Sequence, residues 1–320
     1  MPLPTNDQIR DLFSKANSIL IAAHIRPDGD AIGSILGLGN ALRQAGKNVF
    51  MVSSDGIPSN FHYLSGSKLV KKSIPTNEQF DLTISLDTSD MERTGGIFGE
   101  REIVLNIDHH ITNTYFGKFN YNDPEAVATC AILASKLHDW GLEIDQETAM
   151  LLLTGIITDT IGFRTSNMTS EALRITADLV DKGANLPEIY HQALVNRSFE
   201  QVIYWGHALK RLQKEKNLAW TTLLIKDRKE SGYNGNDDAD LNSILSSIQE
   251  ASVSILFVEQ SNGSVKVSWR AKPGIDISTL AQELGGGGHP AAAGVEIKGE
   301  LVEIQNIVIE KTLKLLDGLK

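Results

Sequence analysis

A single cysteine, Cys130, leaves the chain unable to close an internal disulfide, which suits a reducing compartment and removes disulfide scaffolds from consideration. Long apolar runs are missing as well. No stretch approaches the roughly 20 residues that a membrane-spanning helix needs, and MPLPTNDQIRDLF lacks a basic segment followed by an apolar one, so no signal peptide is expected. Basic excess is also absent: 30 Lys and Arg stand against 40 Asp and Glu, a formal net charge of −10, with no Lys/Arg-rich stripe. Affinity for long nucleic acid comes largely from such cations neutralising phosphates. A grip on long duplexes or long single strands is therefore disfavoured, whereas a short phosphorylated substrate held by a few groups is not. The sequence shows neither an internal repeat nor a low-complexity tract. What remains is ordinary for a soluble, cytoplasmic, globular protein: 41% hydrophobic and 22% charged residues, in 320 residues that allow two cores.

The first half alternates strand and helix signals. Residues 5–16 read as an amphipathic helix capped by Thr5 or Asn6, 18–23 as a buried strand, 30–45 as a helix ended by Gly46, and 48–53 as the next strand. Two further short apolar runs occupy 82–86 and 103–107. This alternation predicts an α/β fold with a parallel sheet covered by helices on both faces. Helices are expected over 126–140, 145–161 and 169–182, with a break at 183–187 and a connecting helix over 199–212. A smaller α/β unit follows, with strands at 218–225, 253–258 and 265–269, helices at 277–284 and 301–316, and a surface loop at 231–240. The expected division is residues 1–190, a helical linker over 191–212, and 213–320.

Ligands bind beyond the carboxyl ends of the strands in parallel sheets. His24, Asp87 and Asp108 each stand directly after an apolar run, and Asp108-His109-His110 delivers a carboxylate and two imidazoles to one spot. Asp28 and Asp30 of HIRPDGD and Asp159 of TGIITDT add carboxylates. Four aspartates, Asp28, Asp30, Asp87 and Asp159, balance two divalent cations, while His24 and His109 offer neutral nitrogen ligands. His110 is left near a reacting phosphate, with Asp108 behind it. Such a site readies a water for in-line attack on phosphorus and stabilises the leaving oxygen.

Singly, each piece has a plainer explanation. The triplet fits a strand end with a satisfied core histidine, Pro-Asp-Gly fits a turn, and Asp159 fits a helix-end cap. The combination favours metal binding, because each piece follows an apolar segment and four of the eight histidines fall within the motifs. Asp90 and Arg93 fit either site orientation or a loop ion pair. His62, His138, His191 and His207 read as surface or packing residues, and Cys130 as core.

The segment GGGGHPAAAG, residues 285–294, removes every Cβ before His289. Glycines permit close approach of backbone to a ligand, and their N–H groups can cradle an anion. A hairpin or linker is the plainer alternative. Arg270 and His289 are candidates for charge-assisted contacts to a phosphate.

HIRPDGDAIGS, DTSD, IDHH, TGIITDT and GGGGHPAAAG together resemble the DHH phosphoesterase superfamily over nearly the whole length, most closely its small two-domain nanoRNase and pAp (phosphoadenosine phosphate) phosphatase type. The resemblance implies a manganese-dependent hydrolase with two ions per site, magnesium or cobalt substituting, and a C-terminal DHH-associated domain that binds substrate. It implies one cation on His24, Asp28 and Asp87, and another on Asp30, Asp87, His109 and Asp159. Arg270, Gly286, Gly287, Gly288 and His289 would face the substrate, with His110 and Asp108 serving the chemistry. The expected substrates are short oligonucleotides, cut to 5′-mononucleotides, and pAp; neither a membrane nor a long duplex is an expected partner, and a homodimer is compatible. Two other functions compete: hydrolysis of pyrophosphate or polyphosphate, and a non-catalytic nucleotide sensor.

Overall fold

The computed structural model describes residues 3–75, 78–235 and 237–318. The chain divides into two compact units, one up to Asn196 and the other from Arg197.

The first unit runs α1 (Asn6–Lys15), β1 (Ser18–Ala23), α2 (Gly29–Gln44), β2 (Asn48–Val52), β3 (Leu82–Leu86), β4 (Leu105–Asp108), β5 (Phe119–Asn122), α3 (Thr129–Lys136), α4 (Gln146–Asp159), α5 (Ser170–Asp181) and α6 (Leu186–Tyr190). Thr5 closes a capping box with Gln8 at the start of α1, and Asp145 and Thr169 cap α4 and α5 through backbone N–H groups two or three residues inside. The five strands are all parallel in the order β2-β1-β3-β4-β5. Alternation along β1 divides the apolar surface: Ile19, Ile21 and Ala23 join the large core with α1 to α6, and Leu20 and Ala22 join Val52, Phe98 and Ile103 behind the sheet. Helices thus cover one face. Behind the other, where helices were also expected, the described members of the small cluster come from strands and irregular segments, because residues 87–104 follow a 3-10 turn and loops.

Glycines bring α2 and α4 together. A Cβ on Gly29 would fall 2.3 Å from the Thr158 hydroxyl, and one on Gly33 would fall 2.7 Å from the Leu151 carbonyl. The helices run antiparallel at this contact, so the start of α2 meets the end of α4. That juxtaposition brings Asp28 and Asp30 to Asp159.

The second unit runs α7 (Phe199–Leu209), β6 (Gln213–Glu215), β7 (Leu218–Leu223), α8 (Ile225–Ser231), α9 (Leu241–Leu245), β8 (Val253–Glu259), β9 (Ser264–Ala271), α10 (Ser278–Glu283), β10 (Gly287–His289), β11 (Ala292–Lys298) and α11 (Leu301–Asp317). Its sheet has the order β10-β11-β9-β8-β7-β6, with β7 and β8 parallel and the other pairs antiparallel. Ile255 and Phe257 pack with Leu280, Ile304 and Val308 on one side, while Leu256 and Val258 pack with Tyr204, Ala208 and Leu241 on the other. Residues 231–240 connect α8 to α9 as a loop apart from Ser231, which ends α8; Asn236 lies outside the described residues.

Candidate metal centre

Six predicted ligands, together with Asp108 and His110, converge at the carboxyl ends of β1, β3 and β4, the start of α2 and the end of α4. His24 follows β1, with its Nδ1 2.8 Å from the Ile25 carbonyl. Asp28 is the cap of α2: one oxygen accepts the N–H groups of Asp30 and Ala31 at 3.0 and 3.1 Å. Asp30, buried in the first turn, accepts the N–H groups of Thr129 and Cys130 at 2.6 and 2.9 Å. The positive ends of α2 and α3 thus meet at one carboxylate. Asp87 follows β3 with φ 52, a left-handed conformation that costs a non-glycine residue about 1–2 kcal/mol. Its N–H donates to the Ile107 carbonyl at 2.9 Å, which ties that turn to β4.

The two oxygens of Asp87 serve different neighbours. Oδ2 lies 3.5 Å from His24 Nε2, and Oδ1 lies 3.6 Å from His109 Nε2 and accepts the Thr129 hydroxyl at 3.1 Å. Around His24 Nε2 the second neighbour is Asp28 Oδ2, at 3.9 Å. Around His109 Nε2 they are Asp30 Oδ2 at 4.0 Å and Asp159 Oδ2 at 3.7 Å. Ligand bonds of about 2.0–2.2 Å put neighbouring ligand atoms about 3–4 Å apart around one cation. Three groups have their ligand atoms within 4.8 Å of one another: His24, Asp28 and Asp87; Asp30, His109 and Asp159; and Asp87, His109 and His110. Carboxylates mixed with imidazole form a donor set for a divalent ion of intermediate hardness.

Electrostatics favour cations here. Burial, reinforced by the charges of Asp87, Asp159 and Asp28, pushes the Asp30 carboxyl well above the usual carboxylate range. Burial likewise raises Asp159 to about 6, with Asp87 and Asp28 adding to the shift against the counter-pull of His109. Asp87 goes the other way: burial raises it, but the His24 hydrogen bond and the charges of His109, His24 and His110 hold it at about 2. Without cations the site therefore keeps protons to relieve crowded negative charge.

His110 is set by its neighbour. Its Nδ1 lies 2.7 Å from the buried Asp108 carboxylate, and that hydrogen bond raises the imidazole to about 9. Asn113 donates to the other Asp108 oxygen and to the Thr88 carbonyl, so the carboxylate cannot rotate away. Sequence reasoning missed Asn113, because nothing local marks a loop asparagine as a prop. It also missed Thr129, whose signal was its place at the start of an apolar helix. Arg93 does not form the loop ion pair considered for it: Asp90 accepts its backbone N–H at 2.8 Å, and its Nη2 lies 3.1 Å from His24 Nδ1.

The remaining candidates lie in the second unit. The segment over 285–294 is an edge hairpin, in which β10 pairs with β11. His289 lies opposite Ala292, and Ala292 opposite Arg270, so His289 and Arg270 flank one small residue on the same sheet face. The hairpin itself demands two of the glycines. A Cβ on Gly286 would fall 2.2 Å from the Gly294 carbonyl, and one on Gly288 would fall 2.5 Å from the Ala292 carbonyl; Gly285 and Gly287 face open space. A further set, His207, Asp227 and Glu230, has ligand-like spacing, but Asp227 already accepts two bonds from Arg211 and one from the Leu224 N–H.

The DHH family N-terminal domain matches residues 18–156, and the DHHA1 domain matches residues 216–316. The chain is 34% identical over 281 residues to the bifunctional oligoribonuclease and PAP phosphatase NrnA of Thermus thermophilus, covering 88% of this chain and 84% of that one. The protein of the same name from Bacillus subtilis is 28% identical over 296 residues, with 89% and 91% covered. Among solved structures, an exopolyphosphatase-related protein from Bacteroides fragilis superposes with a TM-score of 0.90 at 26% identity, over 98% of this chain and 96% of the other.

Proposed function

The chain belongs to the DHH phosphoesterase superfamily, and from that premise we propose that it hydrolyses short oligonucleotides to 5′-mononucleotides and converts pAp to AMP. The observation that carries the mechanism is the division of Asp87, with one oxygen toward His24 and the other toward His109. His24, Asp28 and Asp87 would hold one divalent cation, and Asp30, Asp87, His109 and Asp159 the other. Manganese is the ion assigned to the mixed imidazole and carboxylate donors, with magnesium or cobalt as substitutes. Two such cations supply Lewis acidity to the phosphoryl oxygens and to the attacking water.

The chain's own groups do the rest. Asp108 holds the proton on His110 Nδ1, which reserves Nε2 for the reaction. We assign His110 the protonation of the leaving oxygen. Both reactions break a bond between phosphorus and a ribose O3′, so one acid in one place serves both. Arg270 and His289 are assigned to the substrate's remaining groups, since they flank one small residue on one face of the sheet, next to its β10 edge. The activity is assigned to the cytoplasm, where the buried Cys130 stays a free thiol. Among the described residues no helix is long and apolar enough to cross a membrane.

Manganese-reconstituted protein should convert linear diadenylate and pAp to AMP, and EDTA should abolish both reactions. Turnover of pyrophosphate alone would instead favour the polyphosphate branch. No turnover of any of the three would favour a sensor.

A further inference from the structure

Arg93 is a cation at the metal centre whose guanidinium closes no ion pair among the described residues, although its charge helps to lower the neighbouring Asp90 carboxyl, which accepts its backbone N–H. Its backbone is pinned at both ends: the N–H donates to Asp90 Oδ1 at 2.8 Å, and the carbonyl accepts the Ile25 N–H at 2.8 Å. The residue is thereby tied to the loops that carry His24 and Asp87. Its half-buried guanidinium reaches His24 Nδ1 at 3.1 Å, and among the described residues no carboxylate pairs with it. The guanidinium therefore borders the His24 set, whose shared ligand Asp87 also reaches His109.

The contact with His24 spends no hydrogen bond on the guanidinium, because Nδ1 already lies 2.8 Å from the Ile25 carbonyl, which can only accept. His24 Nε2 faces Asp28 and Asp87, so metal ligation there leaves the ring proton on Nδ1. That proton has an acceptor ready, the Ile25 carbonyl at 2.8 Å. Arg93 Nη2, 3.1 Å from Nδ1, therefore faces an N–H and not a lone pair, and a half-buried donor is left unspent, which is costly. Nearby carboxylates are already engaged: Asp28 with two N–H groups, Asp30 with two others, Asp87 with the Thr129 hydroxyl and the histidines, and Asp90 with the Arg93 N–H and the Ser89 hydroxyl. Charge balance points the same way. Four aspartates cancel two divalent cations, so an arriving phosphate is the uncompensated charge, and Arg93 supplies the matching cation.

We propose that Arg93 is a phosphate-binding residue of the catalytic centre, its guanidinium engaging a non-bridging oxygen of the scissile phosphate. This deepens the proposed hydrolase function and rests on it. The planar guanidinium fork suits phosphate better than an ammonium does, and a charge-assisted bond of this kind is worth about one to two powers of ten in rate.

The test compares Arg93→Gln and Arg93→Lys with wild type on three readouts: bound manganese by elemental analysis, binding of inorganic phosphate to the manganese-loaded protein by calorimetry, and kcat/KM on linear diadenylate. Expected for Arg93→Gln are unchanged manganese, phosphate affinity weakened about 10- to 100-fold and kcat/KM lowered to match, with Arg93→Lys recovering part of both. Manganese lost in step with activity would make Arg93 a prop for His24 and overturn the proposal, as would unaltered phosphate affinity in Arg93→Gln. If wild type binds phosphate through Arg93 yet turns over no nucleotide, the functional reading fails while the phosphate site stands.

Discussion

Replacing Asp159 with Asn should stabilise the metal-free protein, although it damages the site. Asp159 is the last residue of α4, where a negative charge opposes the helix dipole, and it lies within reach of Asp30 and Asp87 charges. Its carboxyl is raised from 3.8 to about 6, so between those values the native state holds a proton that the unfolded chain has released. Stability therefore falls as pH rises through this window, and the cost is fully present above pH 6. The whole shift corresponds to about 3 kcal/mol. The side chain is 29% exposed, and solvent screening reduces our expectation to about 1–2 kcal/mol. For a unit of this size that is about 2–8 °C in Tm. Scanning calorimetry in EDTA should show Asp159→Asn melting higher than wild type at pH 7 and level with it at pH 4. Saturating manganese should reverse the order at pH 7, because the variant lacks a ligand. An Asp159→Asn protein that melts at or below wild type at pH 7 in EDTA would refute the charge-crowding argument.

Two further substitutions probe the centre. Asp87→Ala should abolish turnover of linear diadenylate in saturating manganese while the circular dichroism spectrum stays native; more than a small residual rate would count against Asp87 as the shared ligand. Asp108→Asn should remove the bond that raises His110, so its titration in EDTA-treated protein, followed by imidazole NMR, should fall from about 9 toward 6.5. An unmoved midpoint would mean that Asp108 does not control that proton.

Much of the centre was legible because its residues sit where backbone rules put them. An apolar run ending at Ala23 or Leu86 places His24 or Asp87 at the carboxyl edge of a parallel sheet, and a Pro-Asp-Gly turn ahead of a helix makes Asp28 a cap. Positions fixed by tertiary contact were not legible. The β4 strand was expected at 103–107 but runs Leu105–Asp108, so Asp108 is its last residue and not the first one beyond it. The β5 strand, Phe119–Asn122, went unseen because asparagines alternate with aromatics in FNYN, and pairing with β4 overrides their weak strand preference. The helix expected over 126–140 shortens to Thr129–Lys136, as its start is fixed by Asp30 accepting the Thr129 and Cys130 N–H groups. In the glycine run, composition suggested a ligand cradle, whereas Gly286 and Gly288 are demanded by the neighbouring strand's backbone.

The central claim, two cations sharing Asp87 in the service of nucleotide hydrolysis, is tested most directly by a manganese titration of chelator-treated protein. Bound metal and AMP release from linear diadenylate would be recorded on the same samples. We predict little turnover at one equivalent of bound manganese, and a rise to full rate as the second equivalent binds. Full turnover at one equivalent, or none at two, would contradict the account.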